Sequence, residues 1–158
     1  MKLLFAPWGS PKNWKELSYE FKGRKIKSNT SLKILQEVIK PDNTFIISLD
    51  TLAEKGINYQ EIKKNAKEKV DWYARKFGLK NYEIIVAPGI ESFPNGVFEG
   101  NALDYYYYIL AETSINLLRH PYNELETYLD LTHGLNYFTI LTYRGIKEVL
   151  EIISIFKK

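Results

Sequence analysis

Four stretches of the sequence gather small polar residues where a polypeptide can grip an anion: residues 8–14 (WGSPKNW), 50–56 (DTLAEKG), 89–101 (GIESFPNGVFEGN) and 132–136 (THGLN). Glycine, serine, threonine and asparagine supply backbone N–H groups, hydroxyls and amides, which hold phosphate without needing a cationic surface. Other chemistries are thinly provided. The chain has no cysteine, and His120 and His133 are its two histidines, so a thiolate metal site is absent and a structural zinc site has too few ligands. No metal and no cofactor is expected. Nor is dinucleotide redox chemistry, because Pro7-Trp8-Gly9-Ser10-Pro11 replaces the G-x-G-x-x-G that would bring a helix against a pyrophosphate, and no Walker A sequence occurs.

The elements that must position these stretches follow from apolar patterning. Residues 2–6 (KLLFA), 44–49 (TFIISL), 82–87 (YEIIVA) and 127–131 (TYLDL) are short, nearly continuous apolar runs, the pattern of strands buried on both faces of a parallel sheet. Helical spacing lies between them. Ser31 can cap a helix carrying Leu32, Leu35, Val38 and Ile39. Residues 59–77 place Tyr59, Ile62, Ala66, Val70, Tyr73 and Phe77 on one face, closed by Gly78. Residues 101–119 form a tyrosine-rich helix, and a last helix begins at Gly134. The lysines between residues 63 and 69 are interleaved with Glu61, Glu68 and Asp71 and read as a solvated face rather than a nucleic-acid surface.

Residues 17–27 read as a small β-hairpin insertion turning at Lys22-Gly23, and residues 88–100 as a long loop. The fold class is therefore α/β, with a Rossmann-like parallel sheet flanked by helices in one domain spanning residues 1–158. In such sheets a ligand binds beyond the carboxyl ends of the strands, where the four polar stretches fall.

With 45% apolar and 26% charged residues the chain has an ordinary globular balance, and its net charge of +3 is too small and too dispersed for a duplex nucleic-acid binder. No apolar run approaches the roughly 20 residues that span a bilayer, so no membrane association is expected and the cytoplasm is the expected location.

The run Asp130-Leu131-Thr132-His133-Gly134 resembles the DxTHG signature of the CRISPR-associated Rossmann-fold (CARF) family, in its type III CRISPR accessory branch. The similarity extends to residues 5–10 (FAPWGS), 48–52 (SLDTL) and 93–96 (FPNG), in the order the scaffold requires. This resemblance implies a homodimer that binds cyclic oligoadenylate, usually cyclic tetra-adenylate, an infection-induced messenger, in a cleft across the two-fold. Ser10, Thr132, Gly134 and Asn136 are then the leading phosphate and ribose contacts, followed by Gly9, Asn95, Gly96, Asn101 and Asp50, with Lys12 for phosphate and Trp14 for a base.

The resemblance implies two outcomes, of which the first is the leading expectation. In a metal-independent ring nuclease, the ligand's own 2′-hydroxyl attacks the adjacent phosphorus and leaves a 2′,3′-cyclic phosphate; Ser10, Lys12, Thr132 and His133 would assist. In the alternative the chain is a messenger sensor or sink, or the sensory part of a HEPN ribonuclease effector, whose R-x-x-x-x-H motif this sequence lacks. Each nominated residue also has a purely structural role open to it. Ser10 can cap a helix, Asn136 can serve a first turn, Trp14 can pack, His133 can satisfy a hydrogen bond, and Asp50 and Asp130 can hold loop N–H groups.

Overall fold

The computed structural model describes residues 1–93, 96–119 and 121–156. In chain order they form β1 (Lys2–Pro7), a hairpin of β2 (Leu17–Phe21) and β3 (Arg24–Ser28), α1 (Leu32–Ile39), β4 (Asn43–Leu49) and α2 (Tyr59–Lys76). There follow β5 (Tyr82–Ala87), β6 (Ile90–Phe93), β7 (Gly96–Glu99), α3 (Ala102–Leu118), β8 (Glu126–Leu129) and α4 (Asn136–Phe156). Strands β5, β4, β1 and β8 make one parallel sheet in that spatial order.

Alternation along the strands divides the core into two layers. Leu4, Ala6, Trp8 and Ile46 pack against Leu32 of α1, Val70 and Ala74 of α2, and Phe77. On the other face Leu3, Phe5, Phe45 and Ile47 meet Tyr105, Ile109 and Leu117 of α3 and Phe138, Ile146 and Val149 of α4. The expected α/β architecture with a helix-flanked parallel sheet is what the chain adopts.

The chain steps outward from β1 to β4 to β5, then returns across the sheet to set β8 on the other side of β1. That reversal sets the loops leaving β1 and β8 side by side at the carboxyl end of the sheet, where such folds place a ligand crevice. Backbone bonds knit its floor: Trp8 N–H donates to Ile47 O at 2.7 Å and Asp130 N–H to Phe5 O at 2.8 Å.

The structure alters three local expectations. Residues 88–100 contain the antiparallel pair β6–β7, with Ile90 opposite Glu99, rather than an open loop. The last helix starts at Asn136, two residues after Gly134. Ser31 does not cap α1: its backbone is already helical and its side chain makes no capping bond. Its hydroxyl instead donates to Asp130 Oδ2 at 2.7 Å, a stronger bond because the acceptor is charged, while Thr30 Oγ1 accepts from Leu32 N–H at 3.2 Å.

Candidate functional site

Asp130 is buried, and it directly follows β8 at the carboxyl end of the sheet. Its carboxylate accepts from the Ser31 hydroxyl through Oδ2 and from Thr132 N–H, at 3.2 Å, through Oδ1. These bonds fix the turn at residues 131–134 and leave the Thr132 side chain exposed. His133 O then accepts from Gly9 N–H at 2.9 Å, tying the loop after β1 to the loop after β8. A side chain would be crowded at Gly9 and would collide at Gly134. A Cβ at Gly9 would stand 3.2 Å from Leu135 Cγ, and one at Gly134 would press on Thr139 Oγ1 and stand 3.2 Å from Pro7 Cγ.

His133 faces inward. Its Nε2 lies 3.4 Å from both Tyr19 Oη and Ser31 N, and its ring stacks on Trp14 with centroids 4.0 Å apart. A backbone N–H can only donate, so this arrangement makes Nε2 the acceptor and places the proton on Nδ1. Burial lowers the His133 pKa below its ordinary 6.5, outweighing the upward pull of Asp130. As pH falls the unfolded chain therefore takes up this proton first. The stability contributed by neutral His133 is complete above pH 6.5 and is lost as pH drops toward the folded-state pKa. Thermal melts between about pH 7.5 and about pH 5 should show this decline, and His133→Gln should flatten it. Equal slopes in both proteins would mean that another group is responsible.

Four of the nominated residues line two neighbouring cavities, Gly9 and Ser10 in one, Asp50 and Gly96 in the other. One, of about 310 Å³, lies over the ends of β1 and β4 and is lined by Gly9, Ser10, Thr51, Leu135 and Lys69 among others. Ser10 is exposed there and makes no capping bond to the following short 3-10 turn. The second, of about 400 Å³, lies over β4 and β5 and takes in Asp50 and Gly96. Asp50 is buried, and its Oδ1 accepts from Gly89 N–H at 2.9 Å. Burial raises its pKa against the opposing effect of that bond and other backbone N–H bonds.

Asn101 caps α3, accepting from Leu103 and Asp104 N–H in a reciprocal capping box. Trp14 packs near-parallel to both His133 and Phe77, and Lys12 is exposed outside the walls of either cavity. Asn95 lies outside the described residues, as does the side chain of Asn136, whose backbone opens α4.

Sequence reasoning passed over Lys69 and Thr51. Lys69 lies in the lysine run read as a solvated face, but its side chain is only 23% exposed, pairs with Glu54 at 2.7 Å and borders the crevice. Its position on the same helical face as Ala66 and Val70, one residue out of phase, was the available signal.

A parallel sheet with a strand-order reversal, its two flanking loops bonded through Gly9 and His133, defines a Rossmann-like α/β domain. Residues 3–158 match the family described as "CRISPR system endoribonuclease Csx1, CARF domain", and the chain belongs to that family. It is 43% identical to the CRISPR system endoribonuclease Csx1 of Methanocaldococcus jannaschii, in an alignment covering 99% of this chain and 35% of the relative. The chain thus spans about a third of that relative's length. Among the described residues, no helix is long and apolar enough to cross a membrane.

Proposed function

We propose that residues 1–158 act as one sensory unit of type III CRISPR signalling, binding cyclic tetra-adenylate as a homodimer across its two-fold. The observation that carries this reading is the Gly9–His133 bridge, which holds two exposed hydroxyl-bearing loops together at the strand reversal. Such a surface offers a compact cyclic polyanion hydroxyls and backbone donors in a fixed array, with Lys69 as the neighbouring cation. The endoribonuclease activity in the relative's name is assigned, in this reading, to the length of that protein beyond the part matched here.

Binding is favoured over cleavage because Nε2 of His133, the acceptor a general base would use, is turned toward Ser31 and Tyr19. Ring cleavage is the second reading, supported by the exposed Ser10 and Thr132 beside the same bridge, where phosphate and ribose could be held for in-line attack.

The dimer is supported by apolar side chains left exposed on α3 and α4, namely Leu103, Tyr107, Ile140 and Tyr143. Incubating the protein with cyclic tetra-adenylate in EDTA, followed by sizing and mass spectrometry, tests the whole reading. Intact ligand eluting with a dimer is expected, and Tyr107→Glu combined with Tyr143→Glu should yield a monomer that retains little ligand. Linear di-adenylate ending in a cyclic phosphate would replace the sensor with a ring nuclease. Free ligand throughout would end both readings.

A further inference from the structure

The 400 Å³ cavity over β4 and β5 has a character that phosphate binding does not explain. Its walls are apolar: Ile57, Tyr59 and Ile62 from the start of α2 and its lead-in, Val97 and Phe98 from β7. Three of these are strongly exposed, Ile57 at 94%, Val97 at 67% and Tyr59 at 52%. Singly scattered apolar residues on a surface need no account, but three around one concavity mark a place where apolar surface is covered by something.

The floor is different. Asp50 and the Gly89 backbone lie there, joined at 2.9 Å, and Asp50 is buried. Tight backbone packing holds the walls in place. A Cβ on Gly100 would stand 2.7 Å from Gly89 O, and one on Gly56 would stand 2.5 Å from Ile62 Cγ1. Asn58, which also lines the cavity, spends its side-chain oxygen on Glu61 N–H at 3.0 Å and is committed to capping α2.

Aromatic walls above a small polar floor suit a flat heterocycle, whose faces are apolar and whose edge carries hydrogen-bonding nitrogens. The place suits it as well. Ala53 lines both this cavity and the 310 Å³ crevice, so a base projecting sideways from a ribose-phosphate seated in the crevice would enter here.

We propose that the cavity between the start of α2 and β7 is a purine pocket, with Tyr59 as its stacking residue and the Asp50 floor facing the base edge. The inference rests on the reading of this protein as a cyclic oligoadenylate binder, and names where that ligand's base goes.

Two measurements on the full chain separate the two claims. In the first, isothermal titration with cyclic tetra-adenylate compares the parent with Tyr59→Ala and Tyr59→Phe. Alanine should weaken binding about tenfold through loss of stacking, and phenylalanine should stay within about twofold of the parent. The half-exposed position of Tyr59 makes folding of both variants expected, which a thermal melt verifies. Tight binding by the parent and an unchanged affinity in Tyr59→Ala would overturn the pocket while sparing the functional reading.

In the second, adenosine monophosphate is titrated into nitrogen-15-labelled protein. Shifts are expected at the Gly56, Gly89 and Gly100 amides, with uridine monophosphate producing much smaller ones at equal concentration. Silence at those amides would overturn the pocket whatever the cyclic ligand does. Failure of the parent to bind cyclic tetra-adenylate would instead overturn the functional reading, leaving the mononucleotide shifts to decide the pocket.

Discussion

Asp130→Ala is expected to destabilise the protein by about 3 kcal/mol, because two donors aimed at a buried carboxylate lose their acceptor together. The Ser31 hydroxyl and Thr132 N–H are those donors, one reaching from the start of α1 and the other from the turn after β8. At this chain length a loss of that size lowers the melting temperature by roughly 6–12 °C. Binding should suffer as well. With the turn at residues 131–134 no longer held, the exposed Thr132 hydroxyl and the Gly9–His133 bridge lose their fixed geometry, and affinity for cyclic tetra-adenylate should fall at least about tenfold. Asp130→Asn should recover part of the stability, since the amide oxygen still accepts one of the two bonds while its NH₂ opposes the other donor. Calorimetry of the three proteins checks this; an alanine variant melting within about 2 °C of the parent would mean the turn is held by other contacts.

Trp8→Ala should be costlier still, about 3–5 kcal/mol, as a large ring is removed from a packed core. Trp8 is 1% exposed and its ring meets Trp14 edge-on at 5.0 Å and Phe77 at 6.1 Å. Trp8→Phe should cost much less, about 1 kcal/mol, for a specific reason. The indole Nε1 is buried with no hydrogen-bond partner among the described residues, so phenylalanine removes an unsatisfied donor and leaves only a modest void to penalise. Chemical denaturation of the two variants makes the comparison. If both are destabilised equally, Nε1 has a partner in solution, and the crevice wall contains an ordered water or ligand atom bonded to it.

The parallel sheet was legible because strands buried on both faces must be apolar nearly throughout, and Phe45-Ile46-Ile47 and Ile84-Ile85-Val86 leave little alternative. The first hairpin was legible because Lys22-Gly23 supplies the turn, and both residues do adopt positive φ. The second hairpin was not. Its strands are four residues each, too short for alternation to stand out, and glycines at 89, 96 and 100 look like loop. Ser31 was misassigned because local rules give a serine before a helix to its own N-terminus, whereas the winning partner, Asp130, lies 99 residues away. The cavity over β4 and β5 was invisible for the same reason: Tyr59 and Phe98 fit any amphipathic element until the fold sets them around one cavity.

The reversal that places β8 beside β1 also decides when the crevice can exist. The Met1 ammonium donates to Glu124 O at 2.7 Å, Glu126 N–H donates to Met1 O at 2.9 Å, and β1 then pairs with β8 up to Phe5 and Leu129. Beginning and end of the sheet are thereby clasped across more than a hundred residues of intervening chain. Contacts of such separation carry the largest loop-closure entropy and form late in folding. The first three strands can associate as the chain emerges, but the two loops that face a ligand meet only when the clasp shuts. A molecule gripping residues 9–10 and 132–134 together would hold that clasp closed, so occupancy should be read as a slower unfolding rate before it is read as any change in shape.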